Sequence, residues 1–238
     1  MDAIARLAAE PEQSAVILDV DGTLAPIVPR AEDAAVPPET RAELERLAGR
    51  YRLLAFVSGR MGEDARRMVA VEAAAYVGVH GLELDPEAAR WRQPLQELAS
   101  AEWPWGDVED KGLTVSFHYR NAADQEASVR QAESIAKRAW GAGLVPRFGR
   151  KVLEVRPPVD ADKGTAVRRL VREAGVARAL FAGDDTTDLD AFRGMREAEL
   201  ELTVCVAVRS DEGPPQLVEQ ADLVVDGTAG VLELLRQL

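Results

Sequence analysis

Six short apolar runs carry almost no polar alternation: VILDV (16–20), RLLAFVSGR (52–60), AAAYVGVHG (73–81), ARALFAGDD (177–185), LTVCVAV (202–208) and ADLVV (221–225). A strand with one wet face alternates with period two, so these runs predict strands covered on both faces. Helical segments fall between them. PPETRAELERLAGR (37–50) has Pro at its start and Gly49 near its end, residues 61–70 read as a helix, and KGTAVRRLVREAG (163–175) stops at Gly175. TDLDAFRGM and TAGVLELLRQL complete the set. Strand and helix in alternation predict an α/β fold with a doubly wound, mostly parallel sheet.

The middle of the chain obeys another rule. In GLTVSFHYR, Leu113, Val115, Phe117 and Tyr119 fall on one face and Thr114, Ser116, His118 and Arg120 on the other. The stretch from Asp124 to Trp140 reads as a helix and GLVPRFGRKVLEVRP as a hairpin. One-sided alternation predicts an antiparallel sheet with one exposed face. Residues 85–158 are therefore expected to form a smaller α+β domain inserted into a core made of 1–84 and 159–238, with PPVDADKG as a hinge.

Composition narrows the partners. With 41 acidic and 29 basic residues the formal charge is −12, and such a field repels nucleic acid and anionic membrane surfaces. Any phosphate handled here needs local rescue by a cation and a few placed basic groups. No apolar stretch approaches a membrane span, and MDAIARLAAE lacks a secretory core, so a cytoplasmic protein is the expectation; the oligomeric state is left open, with a monomer favoured. Cys205, the single cysteine, lies in an apolar run and reads as a buried hydrophobe.

Ligands of open parallel sheets bind beyond the carboxyl ends of the strands. Asp19 and Asp21 end the first run, Ser58-Gly59-Arg60 the second, and Gly183, Asp184 and Asp185 follow LFA, with Asp188 just beyond. Carboxylates meeting at one edge repel one another unless a cation sits among them, and an all-oxygen site suits Mg²⁺. Lys163 opens a helix whose start could lie beside the same edge.

DxDGT, then Ser, then Lys, then GDDxxD, in that order, resembles the haloacid dehalogenase-like phosphotransferases. The resemblance implies Asp19 as a nucleophile that forms an aspartyl phosphate, and Asp21 as the acid that protonates the leaving oxygen and then deprotonates water. It implies Mg²⁺ held by the Asp19 carboxylate, the Asp21 carbonyl and Asp184, supported by Asp188 through a water or by a hydrogen bond to the groups that hold the ion. Asp185 could support it in the same way, and Ser58 and Lys163 would bind phosphoryl oxygens. Gly22, Thr23 and Arg60 join the substrate-binding candidates. Asp160, Asp162 and Asp190 read as hinge or capping residues.

The insert lies between the Ser and Lys motifs, where this superfamily carries caps that read the leaving group. LDVDGTLAPI, YVGVHGLEL, VEDKGLTVSFHYRN, KVLEVRPPVDADKGTAV and FAGDDTTDLDAF are similar to the motifs of trehalose-6-phosphate phosphatases and span nearly the whole chain. Leu189 departs from the family, which usually has an acidic residue there. The resemblance implies a stand-alone enzyme yielding trehalose and phosphate from trehalose 6-phosphate. Hydroxyls are read by charged or amide groups that pair two at a time. Glu109, Lys111, His118, Arg120 and Asn121 offer that chemistry, with His80 and Glu83 near the first hinge. For Glu109 and Lys111 an ion-paired face competes with sugar contact, and His118 and Arg120 either line a cleft or are solvated. Glu154 is placed to orient Lys163 or a residue of the insert. Trp91, Trp103, Trp105 and Trp140 read as packing residues before sugar platforms. Two rivals stand beside this expectation: another sugar phosphate, such as sucrose 6-phosphate or mannosyl-3-phosphoglycerate, and a catalytically silent sugar-phosphate sensor.

Overall fold

The computed structural model describes residues 2–28, 30, 33–210 and 213–238. In chain order the elements are α1 (Ala3–Ala9), β1 (Ser14–Leu18), α2 (Pro38–Ala48), β2 (Leu53–Val57), α3 (Gly62–Val69) and β3 (Ala75–Val77). Then come α4 (Arg92–Ala99), β4 (Val108–Asp110), β5 (Val115–His118), α5 (Gln125–Gly141), β6 (Val145–Gly149) and β7 (Val152–Arg156). The last group is α6 (Lys163–Ala174), β8 (Arg178–Gly183), α7 (Asp188–Glu197), β9 (Leu202–Arg209), α8 (Pro215–Gln220), β10 (Leu223–Asp226) and α9 (Gly227–Leu235). Two compact units result, one from the chain up to Gly81 together with Ala161–Leu238, the other from Leu82–Asp160.

The first unit is an α/β layer structure with a parallel sheet in the order β10-β9-β8-β1-β2-β3. The chain leaves β1 toward β2 and β3, then returns on the other side through β8, β9 and β10. Strand order therefore reverses between β1 and β8, and the crevice beyond their carboxyl ends is where such sheets take ligands. Apolar residues cover both faces, as unalternated runs require. Val16, Leu18, Phe56, Leu180 and Val206 pack with Leu7, Leu44, Leu47 and Leu234 from α1, α2 and α9. On the odd-numbered face, Phe181 of β8 meets Phe192 of α7 edge to face, ring centroids 6.2 Å apart. Cys205 is buried, and burial pushes its thiol up to about 12, the behaviour of a hydrophobe.

The second unit carries an antiparallel sheet in the order β4-β5-β7-β6. Val115, Phe117, Leu153 and Val155 point toward Leu95 and Leu98 of α4 and Ala132, Ile135 and Ala139 of α5. The polar face differs from the simple expectation, because Thr114 and Ser116 are also buried. Ser116 stands opposite Glu109 on one side and Glu154 on the other, and long side chains from adjacent strands roof a small hydroxyl. The tryptophans divide: Trp103 is buried against Phe117 and Tyr119, while Trp140 is 63% exposed.

Other differences are local. Helices α1 and α8 span fewer than two turns, too few for an apolar period to repeat in sequence; α1 holds on through Ile4 and Leu7, both buried. The run AAAYVGVHG is a strand only over Ala75–Val77, after which Val79, His80 and Gly81 have φ of 50°, 53° and 101°. Left-handed backbone at a β-branched valine costs about 1–3 kcal/mol and persists only where surroundings impose it. Here Val79 is buried, its N–H donates to the Arg60 carbonyl (2.8 Å), and the His80 N–H donates to the Ser58 carbonyl (2.9 Å). The strained turn fixes the loop that follows β2. Among the described residues no helix is long and apolar enough to cross a membrane.

Candidate active site

Asp19 follows β1 directly, and its N–H donates to the Ala182 carbonyl of β8 at 2.9 Å, extending the ladder across the switch point. Asp184 follows β8 in the same way. These two carboxylates come together with that of Asp188: one oxygen from each lies within 4.8 Å of the others. All three are buried, at 4%, 7% and 0% exposure.

Lys163 enters this group from the first residue of α6, 1% exposed, with Nζ 2.7 Å from Asp188 Oδ1, 3.2 Å from Asp19 Oδ1 and 3.9 Å from Asp185 Oδ1. Two local features aim it. Asp162 caps α6 through a reciprocal pair, Thr165 N–H to Asp162 Oδ1 at 2.7 Å and Asp162 N–H to Thr165 Oγ1 at 3.0 Å. Second, α6 and α7 cross backbone against backbone. A Cβ on Gly164 would sit 2.3 Å from the Asp190 carbonyl, and one on Gly194 2.3 Å from the Gly164 carbonyl. Only glycines permit that approach, and it brings the starts of both helices, Lys163 and Asp188, within hydrogen-bond reach. Gly194 escaped the sequence reading; a glycine inside a helical pattern was its signal.

Asp188 spends both oxygens on the fold. Oδ1 accepts from Lys163, and Oδ2 accepts from the backbone N–H groups of Asp184 (2.8 Å) and Asp185 (2.9 Å), which fixes the loop after β8. Asp184 is placed from the other side by the turn after Asp19. Thr23 is fully buried and its Oγ1 donates to Asp184 Oδ1 at 3.2 Å. Gly22 has φ +78°, and a Cβ there would stand 2.0 Å from Asp184 Oδ2, so the DxDGT turn needs glycine for its backbone and for the carboxylate beside it.

The electrostatics follow from burial. Asp184 is raised to about 7, first by desolvation and then by Asp188 and Asp185. Desolvation also raises Asp19 well above the carboxylate range, with Lys163 offsetting part of it. Burial opposes the charge on Lys163, but Asp19, Asp188 and Asp185 outweigh it and hold the ammonium protonated. Three buried carboxylates thus face one buried ammonium. An oxygen-lined pocket with surplus negative charge fits a small hard dication, and Asp19 and Asp184 have the oxygens to offer it.

Around this centre, Ser58 is 1% exposed and its Oγ accepts from the Arg60 N–H at 3.1 Å. Arg60 reaches Asp21 with two donors, Nε to Oδ2 at 2.7 Å and Nη2 to Oδ1 at 2.6 Å. The His80 ring lies against Gly59, where a Cβ would come within 2.6 Å of it. Asp185 is exposed; burial works against its charge, but Lys163 and bonds from Thr187 hold its carboxyl below the usual range.

Within the second unit, Glu109 gathers two partners, Lys111 Nζ at 3.4 Å and His118 Nε2 at 3.5 Å. Across the sheet the register runs Glu109, Ser116, Glu154, Arg147, so both glutamates share one face. Arg120 and Asn121 lie in the exposed turn after β5, apart from that row, and Glu83 is exposed in the segment that opens the unit.

The sequence matches the trehalose-phosphatase family over residues 17–107 and 102–228. It is 33% identical over 206 residues to a probable trehalose-phosphate phosphatase of Sinorhizobium fredii, covering 81% of this chain and 77% of the relative. It is 34% identical over 217 residues to an uncharacterized glycosyl hydrolase of Mycobacterium tuberculosis, covering 80% of this chain and 16% of that much longer protein. The fold resembles a crystal structure described as a trehalose-6-phosphate phosphatase related protein, with a TM-score of 0.73 at 21% identity, over 93% of this chain and 95% of that one.

Proposed function

Because the chain belongs to the trehalose-phosphatase family, we propose that it hydrolyses trehalose 6-phosphate to trehalose and inorganic phosphate through an aspartyl phosphate on Asp19. The observation that carries this reading is the buried Asp19 carboxylate, 3.2 Å from the Lys163 ammonium at the switch point of the sheet. A Asp19 oxygen attacks phosphorus, the bond from phosphorus to the sugar oxygen breaks, and that oxygen keeps the electron pair and takes a proton from Asp21. Asp21 then removes a proton from water as the water attacks phosphorus, and the Asp19 carboxylate departs. Ser58 and Lys163 hold phosphoryl oxygens, which answers the repulsion a −12 protein presents to a phosphate dianion. Asp19, the Asp21 carbonyl and Asp184 would hold Mg²⁺, with Asp188 fixing the loop behind them. Bound there, the ion supplies neutralisation of phosphoryl charge.

That loading competes with protons. A carboxyl raised to about 7 keeps its proton in the folded protein where the unfolded chain, with an ordinary value of 3.8, has lost it. In the metal-free protein Asp184 therefore lowers stability as pH rises through that window. Mg²⁺ affinity is expected to fall by at least about tenfold per pH unit below pH 7, because Asp184, and Asp19 whose carboxyl burial also raises, must give up protons for the ion to bind. Calorimetric titration between about pH 5.5 and 8 checks this, and an affinity that does not change with pH refutes it.

For the sugar, Glu109, Lys111, His118 and Glu154 offer paired acceptors and donors on one unit and are proposed to read the hydroxyls, with Arg120, Asn121, His80 and Glu83 as further contacts. Phosphate release is expected to favour trehalose 6-phosphate over glucose 6-phosphate, sucrose 6-phosphate and mannosyl-3-phosphoglycerate by about 100-fold or more in kcat/KM, and to vanish on chelation. Similar turnover across the panel would defeat the trehalose assignment; binding with no release of phosphate from any ester would favour a silent sensor.

A further inference from the structure

Both oxygens of Asp21 are taken by one guanidinium, at 2.7 and 2.6 Å. The fork holds the Asp21 carboxylate against Arg60, so the acid and base roles proposed for Asp21 call for the pair to loosen during the reaction. The arginine is suited to a second anion, since the guanidinium fork fits phosphoryl oxygens as well as it fits a carboxylate. The pair is also reachable: the side chains of Arg60 and Asp21 are 22% and 33% exposed, against 1% for Lys163. Arg60 is anchored beside Ser58, through its N–H to Ser58 Oγ at 3.1 Å and its carbonyl to the Val79 N–H at 2.8 Å. Asp21 is two residues from Asp19.

We propose that the Arg60 guanidinium is exchanged between Asp21 and the substrate's phosphoryl group: it pins Asp21 in the ligand-free protein and passes to phosphoryl oxygens on binding, which releases Asp21 for proton transfer. The inference rests on the roles proposed for Asp19 and Asp21. It makes Arg60 a positioning residue for Asp21 and a timing device, because the acid–base group becomes available only when an anion is present to take the arginine. Opening costs little, since a partly exposed ion pair contributes modestly.

The exchange predicts a thermodynamic cycle, read by calorimetric titration of inorganic phosphate into the Mg²⁺-loaded full chain. Arg60→Ala is expected to weaken phosphate binding about tenfold, and Asp21→Asn to tighten it about threefold or more, because the arginine no longer has to leave a carboxylate. In the double variant the gain from Asp21→Asn disappears and affinity matches Arg60→Ala. Arg60→Lys, which keeps the charge and loses the fork, is expected between wild type and Arg60→Ala, and it replaces Arg60→Ala in the cycle if the latter does not fold. If Asp21→Asn tightens binding equally in the Arg60 variant background, the gain is relief of charge repulsion and the exchange is overturned. Unchanged affinity in Arg60→Ala overturns it too. Failure of the wild-type protein to release phosphate from any sugar ester would instead defeat the proposed function, while the binding cycle would still decide the fate of the exchange.

Discussion

Asp19→Asn is expected to lower kcat for phosphate release by a factor on the order of 10⁴ or more while sugar-phosphate affinity stays within about tenfold. An amide keeps the shape of the side chain and the reach toward Lys163 but cannot form the bond to phosphorus. Rapid quench with radiolabelled ester gives the second readout: the wild-type protein carries label on protein during turnover and the variant carries none. Stability separates lost chemistry from lost fold. The Asp19 carboxyl is raised well above its ordinary range by burial, so an uncharged amide relieves crowding among Asp19, Asp184 and Asp188. The metal-free variant should melt no lower than wild type. Turnover at wild-type rate would remove the covalent route altogether.

The second large effect is expected from Lys163→Met. The ammonium touches Asp188 at 2.7 Å and Asp19 at 3.2 Å with almost no access to water, and methionine fills its volume without its charge. Removing one member of a buried ionic group costs about 3–5 kcal/mol because the remaining charges are left uncompensated. We expect a loss of that size in chemical denaturation of the metal-free protein at neutral pH, partly recovered by acid, where the buried carboxyls take up protons. Activity should fall by about 10³-fold or more, since a phosphoryl contact and the alignment of Asp188 are lost together. A variant as stable as wild type, with unchanged response to pH, would mean that Lys163 does not neutralise this cluster.

Both expectations depend on a loop geometry that was only partly legible in the primary structure. The covered strands declared themselves by apolar runs, and the start and stop of α6 by Asp162, Lys163 and Gly175, because capping and left-handed termination are local chemistry. The convergence of Asp19 and Asp184 followed from the general rule for parallel sheets. In contrast, Arg60 bonding to Asp21, Lys163 bonding to Asp188, and the departure of the chain from strand geometry at Val79 have no local signature. Each is a contact between segments far apart in sequence, and in the last case the donors of a strained turn are satisfied by carbonyls some twenty residues earlier.

Sequence alone therefore determined the α/β layering and the carboxylates at the strand ends, since periodicity, caps and turn chemistry are short-range properties that hold wherever the segment ends up. Only the tertiary structure decided who pairs with whom. The Gly164–Gly194 crossing sets Lys163 against Asp188, and the turn at Gly22 sets Thr23 against Asp184. Buried charges select partners by distances of about 3 Å, and such distances are fixed by how helices and loops pack rather than by the order of residues along the chain.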